Sequence, residues 1–202
     1  MASPVFHGLV GAGLAAAMAG GAGHPLASFL RRTSKTLAAA AVLACLPDID
    51  YLPGLWRGSL NTTHQQATHS VAWVLLVAVG IWLVGRAFRP VQFGRRALLF
   101  LLIVIGSHLA IDLVTLDRSA PYGIPLWAPV STTPVRALVA LLPAWDKATL
   151  GELAGSGRNL RVLGIELGAG VVFLAAGAGG MNILSKRGRP GRPSLPGGQH
   201  SA

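Results

Sequence analysis

Acidic side chains are the scarcest chemistry in this chain: its 202 residues hold seven Asp and Glu against seventeen Lys and Arg, a formal net charge of +10. Cysteine is nearly absent. The single thiol, Cys45, lies in an apolar stretch without a partner, which excludes an internal disulfide and leaves it reading as a small buried hydrophobe. Charged residues make up 12% of the chain and aromatics 6%, too little polar surface for an ordinary soluble domain. The positive charge does not point to nucleic acid either. No aromatic residues interleave with the basic ones of the tail at 184–202 to stack on bases, and the Lys and Arg of the chain lie between apolar runs rather than on one polar face. What is abundant is hydrocarbon: 52% of the residues are hydrophobic and the mean hydropathy is +0.56. The bilayer is the natural solvent.

Crossing about 30 Å of hydrocarbon takes about 20 mostly apolar residues as helix. Four stretches meet or approach that length, at 5–23, 69–88, 97–116 and 162–183. A fifth, 36–47, is short and ends at Pro47; it reads as a thin span continued through Tyr51 and Leu52, or as a re-entrant helix sheltered by its neighbours. A sixth, 136–144, is too short to span and reads as interfacial or packed against the bundle. The expected fold is therefore all-α, a polytopic helical membrane bundle of about five spans over residues 1–183. The basic, Pro- and Gly-rich tail at 184–202 is expected to be disordered, lying beside anionic lipid.

The first Lys or Arg is Arg31, so the first segment lacks the basic start of a signal peptide and is expected to be retained. Arg31, Arg32 and Lys35 fall in loop 24–35, four arginines in loop 86–96, and Lys186, Arg187, Arg189 and Arg192 in the tail, whereas loop 48–68 holds only Arg57. Positive residues stay inside, which orients the N-terminus outward and the C-terminus toward the cytoplasm.

Within so apolar a chain each ionisable group is a functional hypothesis. Asp48 and Asp50 stand in LPDID, bracketed by Pro47 and Pro53, which predicts a fixed turn rather than a continuous helical face. Two carboxylates so close repel unless a cation lies between them. His64 and His69 follow in HQQATHS; a five-residue gap would set them about 140° apart on a helix, so joint use requires non-helical chain between them. Thr68 or Ser70 is positioned to cap the next span. His108 and Asp112 are spaced i, i+4, one turn apart on one helical face, the spacing by which a helix offers two ligands to one metal. His7 opens the first segment, while His24 and His200 fall where they cannot join the others. The charge-derived orientation brings His7, Asp48, Asp50, His64, His69, His108 and Asp112, from four separate segments, to the outer side. Nitrogen and oxygen donors without cysteine suit zinc or another divalent first-row ion. Seven candidates exceed one site's three or four ligands, leaving either two metals or residues that orient ligands and act as base.

Taken in order, His7, LPDID at 46–50, the His64 to Ser70 motif, HLAIDLVT at 108–115 and YGIPLWAP at 122–129 resemble the membrane-bound metal-dependent hydrolases of bacterial inner membranes, described as related to a LexA-regulated protein. That family is distantly similar to zinc-dependent phospholipase C and P1-type nucleases. The resemblance, over residues 5–130, implies an inner-membrane hydrolase of phosphoester or lipid-related substrates, with Asp48 or Asp50, His64 or His69, His108 and Asp112 as ligands. A metal-activated water would attack, and the free carboxylate of the Asp48/Asp50 pair would act as base. YGIPLWAP, with Tyr122 and Trp127, would form the mouth. The chain departs from the family in having Gln65 and Gln66 where Arg and Gly are frequent, and in lacking the further His-x3-Glu pair of the soluble phospholipases; one or two metals are then expected rather than three. Two other classes use the same residues: an ion- or proton-coupled transporter with a His/Asp relay, for which Glu166 in the last span would be a second depth, and a non-catalytic membrane protein that the metal merely stabilises.

Overall fold

The structure is a computed structural model that describes residues 1–19, 26–58, 63–118, 122–147 and 149–187. Its order is α1 (Pro4–Ala19), α2 (Leu26–Ala44), a 3-10 turn (Leu46–Asp50), α3 (Tyr51–Trp56), a second 3-10 turn (Ala67–His69), α4 (Val71–Phe88), α5 (Arg95–Leu113), α6 (Leu150–Gly155) and α7 (Gly157–Arg187). The fold is all-helical; among the described residues only two isolated β-bridges occur, Thr115 to Leu142 and Ile124 to Val135.

Three helices, α4, α5 and α7, are long and apolar enough to cross a membrane, and α2 with the turn and α3 makes a pair bent by 50° that has the length and composition of a broken span or a re-entrant loop. They carry Leu75, Leu76, Leu83, Leu99, Val171 and Val172 on their outer surfaces, where lipid rather than water is the fitting neighbour. The 16 residues of α1 cover about 24 Å at 1.5 Å per residue, short of a full span; the remainder of that predicted segment, 20–23, lies outside the described residues.

Small side chains set the packing. A methyl on Gly11 would fall 2.6 Å from the Ala40 carbonyl oxygen, and Gly177 meets the backbone of Gly13 as closely. Without a hydrophobic drive between helices in lipid, such close approach supplies the van der Waals contact that holds the bundle. The same contacts fix direction. Gly8 and Gly11 meet Ala41 and Ala40 respectively, so α1 and α2 are antiparallel, whereas Leu9 meets Gly170 and Gly13 meets Leu174, so α1 and α7 run parallel. Trp82 Nε1 donates to Gly94 O and Val74 faces Gly106, which makes α4 and α5 antiparallel. The start of α1, the end of α2, the start of α4, the end of α5 and the first turns of α7 therefore share one end of the bundle.

Two expected boundaries change. The segment read as 36–47 is a helix from Leu26, so Arg31, Arg32 and Lys35 stand on α2 rather than in a loop; Arg and Lys are good helix formers whose long stems let the charged heads leave the apolar layer. The last helix begins at Gly157 and continues to Arg187, with Gly157–Gly179 as its membrane-crossing part, so the boundary drawn at 183 falls within α7. Residues 188–202 of the tail, with His200, and His24 lie outside the described residues. The 136–144 segment is irregular, with a bend at 138–139, and packs against the end of α5 through Leu116 N to Leu142 O at 2.9 Å and Leu141 N to Val114 O at 2.7 Å.

Candidate metal centre

The end of the bundle where five elements meet is where the rare ionisable residues collect. The first turn of α1 supplies His7, the 3-10 turn after α2 supplies Asp48 and Asp50, the loop before α4 supplies His64 and His69, and the last turns of α5 supply His108 and Asp112. His7, His69 and His108 are wholly buried, and His64, Asp112 and Asp48 nearly so.

Local sequence explains each placement. Pro47 tightens the chain into the 3-10 turn that carries both aspartates. Gln65 adopts φ 63°, breaking the chain between His64 and His69 as their spacing requires. The cap of α4 is Ser70, whose Oγ accepts from Trp73 N at 3.2 Å. Thr68 instead donates to Asp50 Oδ2 at 2.7 Å.

The imidazoles are aimed by what binds their outer nitrogens. His64 Nδ1 is 2.7 Å from Asp50 Oδ1, His69 Nδ1 is 3.2 Å from Asp50 Oδ2, and His108 Nδ1 is 2.8 Å from the Ala44 carbonyl oxygen. A carbonyl oxygen only accepts, so His108 Nδ1 carries a proton, which in the neutral ring leaves the lone pair on Nε2. Asp50 exerts the same bias on His64 and His69. All three Nε2 atoms then face Asp48 Oδ1, at 3.9 Å from His64, 3.7 Å from His69 and 3.5 Å from His108. Asp112 completes the ring: Oδ2 is 3.2 Å from His108 Nε2 and 3.6 Å from His69 Nε2, and Oδ1 is 3.3 Å from His7 Nε2. His69 and His108 bring their Nε2 atoms within 3.3 Å of each other. With both rings neutral and protonated at Nδ1, two lone pairs meet at that distance and repel unless something electron-poor lies between them.

The unmet hydrogen-bonding capacity converges on the same point. Both oxygens of Asp48, both of Asp112, both nitrogens of His7 and His64 Nε2 are buried without a hydrogen-bond partner. Leaving such groups unpaired costs about 1–3 kcal/mol each, more for charged ones. The histidine approaches to Asp48 and Asp112 are ion-pair distances, not aligned hydrogen bonds. Two adjoining groups could each hold a divalent cation, Asp48 with Asp50, His64 and His69, and His7 with His108 and Asp112. Asp50 belongs to the first of these groups, but its oxygens are taken up by His64, His69, Thr68 and the Gln66 N–H. Its geometry is that of a residue that orients ligands.

Titration follows from these contacts. Burial pushes the His64 imidazole down to about 4, with Asp50 opposing. His69 is also disfavoured as a cation by burial, but Asp48 and Asp50 outweigh that and raise it.

Two neighbours carry no sequence signal. Tyr51 stacks on His64 with ring centroids 3.5 Å apart, and its hydroxyl accepts from Lys147 Nζ at 2.5 Å. Lys147 is 9% exposed, and burial lowers its pKa against the pull of Asp112 and Asp48. A lone lysine in a long connection gives no hint of burial. The YGIPLWAP stretch is a strap over the start of α4: Val71 N donates to Leu126 O, Ile124 enters the core, and Tyr122 and Trp127 are half exposed. Asp117 ties that strap to the histidine loop, accepting from Gly123 N and Gln65 Nε2 at 2.9 Å each. Glu166 is fully buried and engaged by Ser3 N, Ser3 Oγ and Trp145 Nε1. It joins α7 to α1 at the same end of the bundle as the His/Asp cluster.

A family model described as YdjM inner membrane protein matches residues 1–184, and the chain belongs to that family. No curated protein and no solved structure gives a significant match.

Proposed function

We propose that this YdjM-family inner-membrane protein is a metal-dependent hydrolase of phosphoester or lipid-related substrates. The observation that carries the reading is the set of buried, unpaired donor atoms on His7, Asp48, His64 and Asp112, joined by the Nε2 atoms of His69 and His108. These six residues would hold the metal, and zinc fits a nitrogen and oxygen donor set without thiolate. When bound, such an ion polarises an ester oxygen and lowers the pKa of its water toward neutrality.

The residues divide the remaining work. Asp50 and the Ala44 carbonyl hold three imidazoles in one tautomer and direction. Asp48 Oδ1 faces the histidines, while Oδ2 is the acceptor available to take the proton of an attacking water. An apolar trough of about 610 Å³ between α1 and α2, lined by Val5, Leu9, Val42, Ile49 and Leu52, reaches Asp48. That trough suits a lipid approaching from within the bilayer rather than a solute from water. The proposed topology keeps the site outside, with the C-terminal end of α7 in the cytoplasm.

The test is hydrolysis of a panel of phosphomonoester and phosphodiester lipids by detergent-purified protein, with and without chelator. Turnover that chelation removes and zinc restores is expected. A tightly held metal with no turnover on any lipid or soluble phosphoester would refute hydrolysis and favour a purely structural metal.

A further inference from the structure

Lys147 stands apart from the machinery just described. Its ammonium is buried, donates to the Tyr51 phenol and lies 3.5 Å from Met1 Sδ and 5.0 Å from the centre of the Tyr51 ring. Among the described residues no carboxylate approaches it within ion-pair distance, although burying an ammonium without a counter-charge is expensive. The group lines a cavity of about 430 Å³ with Tyr51 and Ser3, whose other walls, Met1, Ala2, Pro4, Trp145 and Leu153, are largely apolar. That volume falls in the range of small-molecule sites, which combine apolar walls with a few fixed polar groups. Tyr51 is the partition: one contact of its side chain is the Lys147 ammonium, the other is the stacked His64 ring.

We propose that Lys147 and Tyr51 form the headgroup end of a pocket for an acidic, phosphate-bearing lipid, the ammonium taking the phosphate and the apolar walls the first part of an acyl chain. An anion there supplies the missing counter-charge, and Lys147 retains donors for its oxygens. A water-soluble phosphate would leave the apolar walls unused, and a neutral lipid would leave the ammonium unpaired. The proposal rests on the hydrolase reading for what becomes of the bound lipid, but not for its binding.

The experiment is isothermal titration of the full chain in nanodiscs with short-chain phosphatidic acid, the matching diacylglycerol and inorganic phosphate. Parent, Lys147→Met and Lys147→Arg are compared, each before and after chelation, with metal content measured on the same samples. Phosphatidic acid is expected to bind the parent. Loss of one charge-assisted contact in Lys147→Met should weaken it by about 10–100-fold, while Lys147→Arg retains most of the affinity and metal content stays unchanged. Binding by Lys147→Met within about twofold of the parent, or diacylglycerol binding as tightly as phosphatidic acid, would overturn the pocket assignment. Inorganic phosphate binding as tightly as the lipid would overturn the lipid occupant. Lys147-dependent binding that survives chelation in a protein without turnover would keep this pocket and remove the hydrolase reading; turnover without Lys147-dependent binding would do the reverse. If Lys147→Met does not fold, the lipid preference of the parent and the Lys147→Arg comparison still decide.

Discussion

Replacing Asp50 by Asn separates the residue that aims the ligands from those that face the centre. Asp50 spans two imidazoles, with Oδ1 2.7 Å from His64 Nδ1 and Oδ2 3.2 Å from His69 Nδ1. An amide keeps one acceptor oxygen but puts an NH2 where the other stood, so one imidazole loses its partner and the bias of its proton toward Nδ1. Losing an orienting partner of a metal-bound histidine costs about 10–100-fold in affinity. Asp48→Asn instead removes a carboxylate whose oxygens face the histidines and have no other hydrogen-bond partner, and should lower metal occupancy far more. Competition with a fluorescent zinc chelator on detergent-purified parent, Asp50→Asn and Asp48→Asn gives the ranking. Parental affinity in Asp50→Asn would refute the orienting role, and a loss equal to that of Asp48→Asn would make Asp50 a ligand itself.

Glu166→Leu should cost about 1–3 kcal/mol for each donor it orphans among Ser3 and Trp145, lowering the melting temperature in detergent without changing metal content; unchanged stability would reopen a relay role for this carboxylate. Gly123 sits at φ +134°, where a methyl would fall 2.7 Å from the Val135 carbonyl oxygen. Gly123→Ala is expected to destabilise the strap by about 1–3 kcal/mol, detectable by thermal scanning, and a parental melting temperature would show that the strap does not need this conformation.

Much of the site was legible because scarcity and spacing are local properties. His108 and Asp112 meet as the i, i+4 interval predicts, and Pro47 makes the turn that carries Asp48 and Asp50. Their division of labour was not legible. Two residues apart in one 3-10 turn, Asp48 faces the Nε2 atoms and Asp50 the Nδ1 atoms, a difference decided by where three other elements present their rings. Lys147 and Tyr51 were hidden for a similar reason: their contact joins positions 96 residues apart in sequence. The start of α2 is not legible from charge: Arg31, Arg32 and Lys35 mark a loop by composition, yet the helix begins at Leu26 and carries them on its exposed turns.

The central claim is that His7, Asp48, His64, His69, His108 and Asp112 hold a metal, and elemental analysis of extensively dialysed, detergent-purified protein tests it most directly. One or two equivalents of a divalent metal in the parent are expected, falling to background in an Asp48→Asn/Asp112→Asn double variant that still inserts and purifies as the parent does. Background metal in the parent after zinc loading, or parental metal content in the double variant, would contradict it.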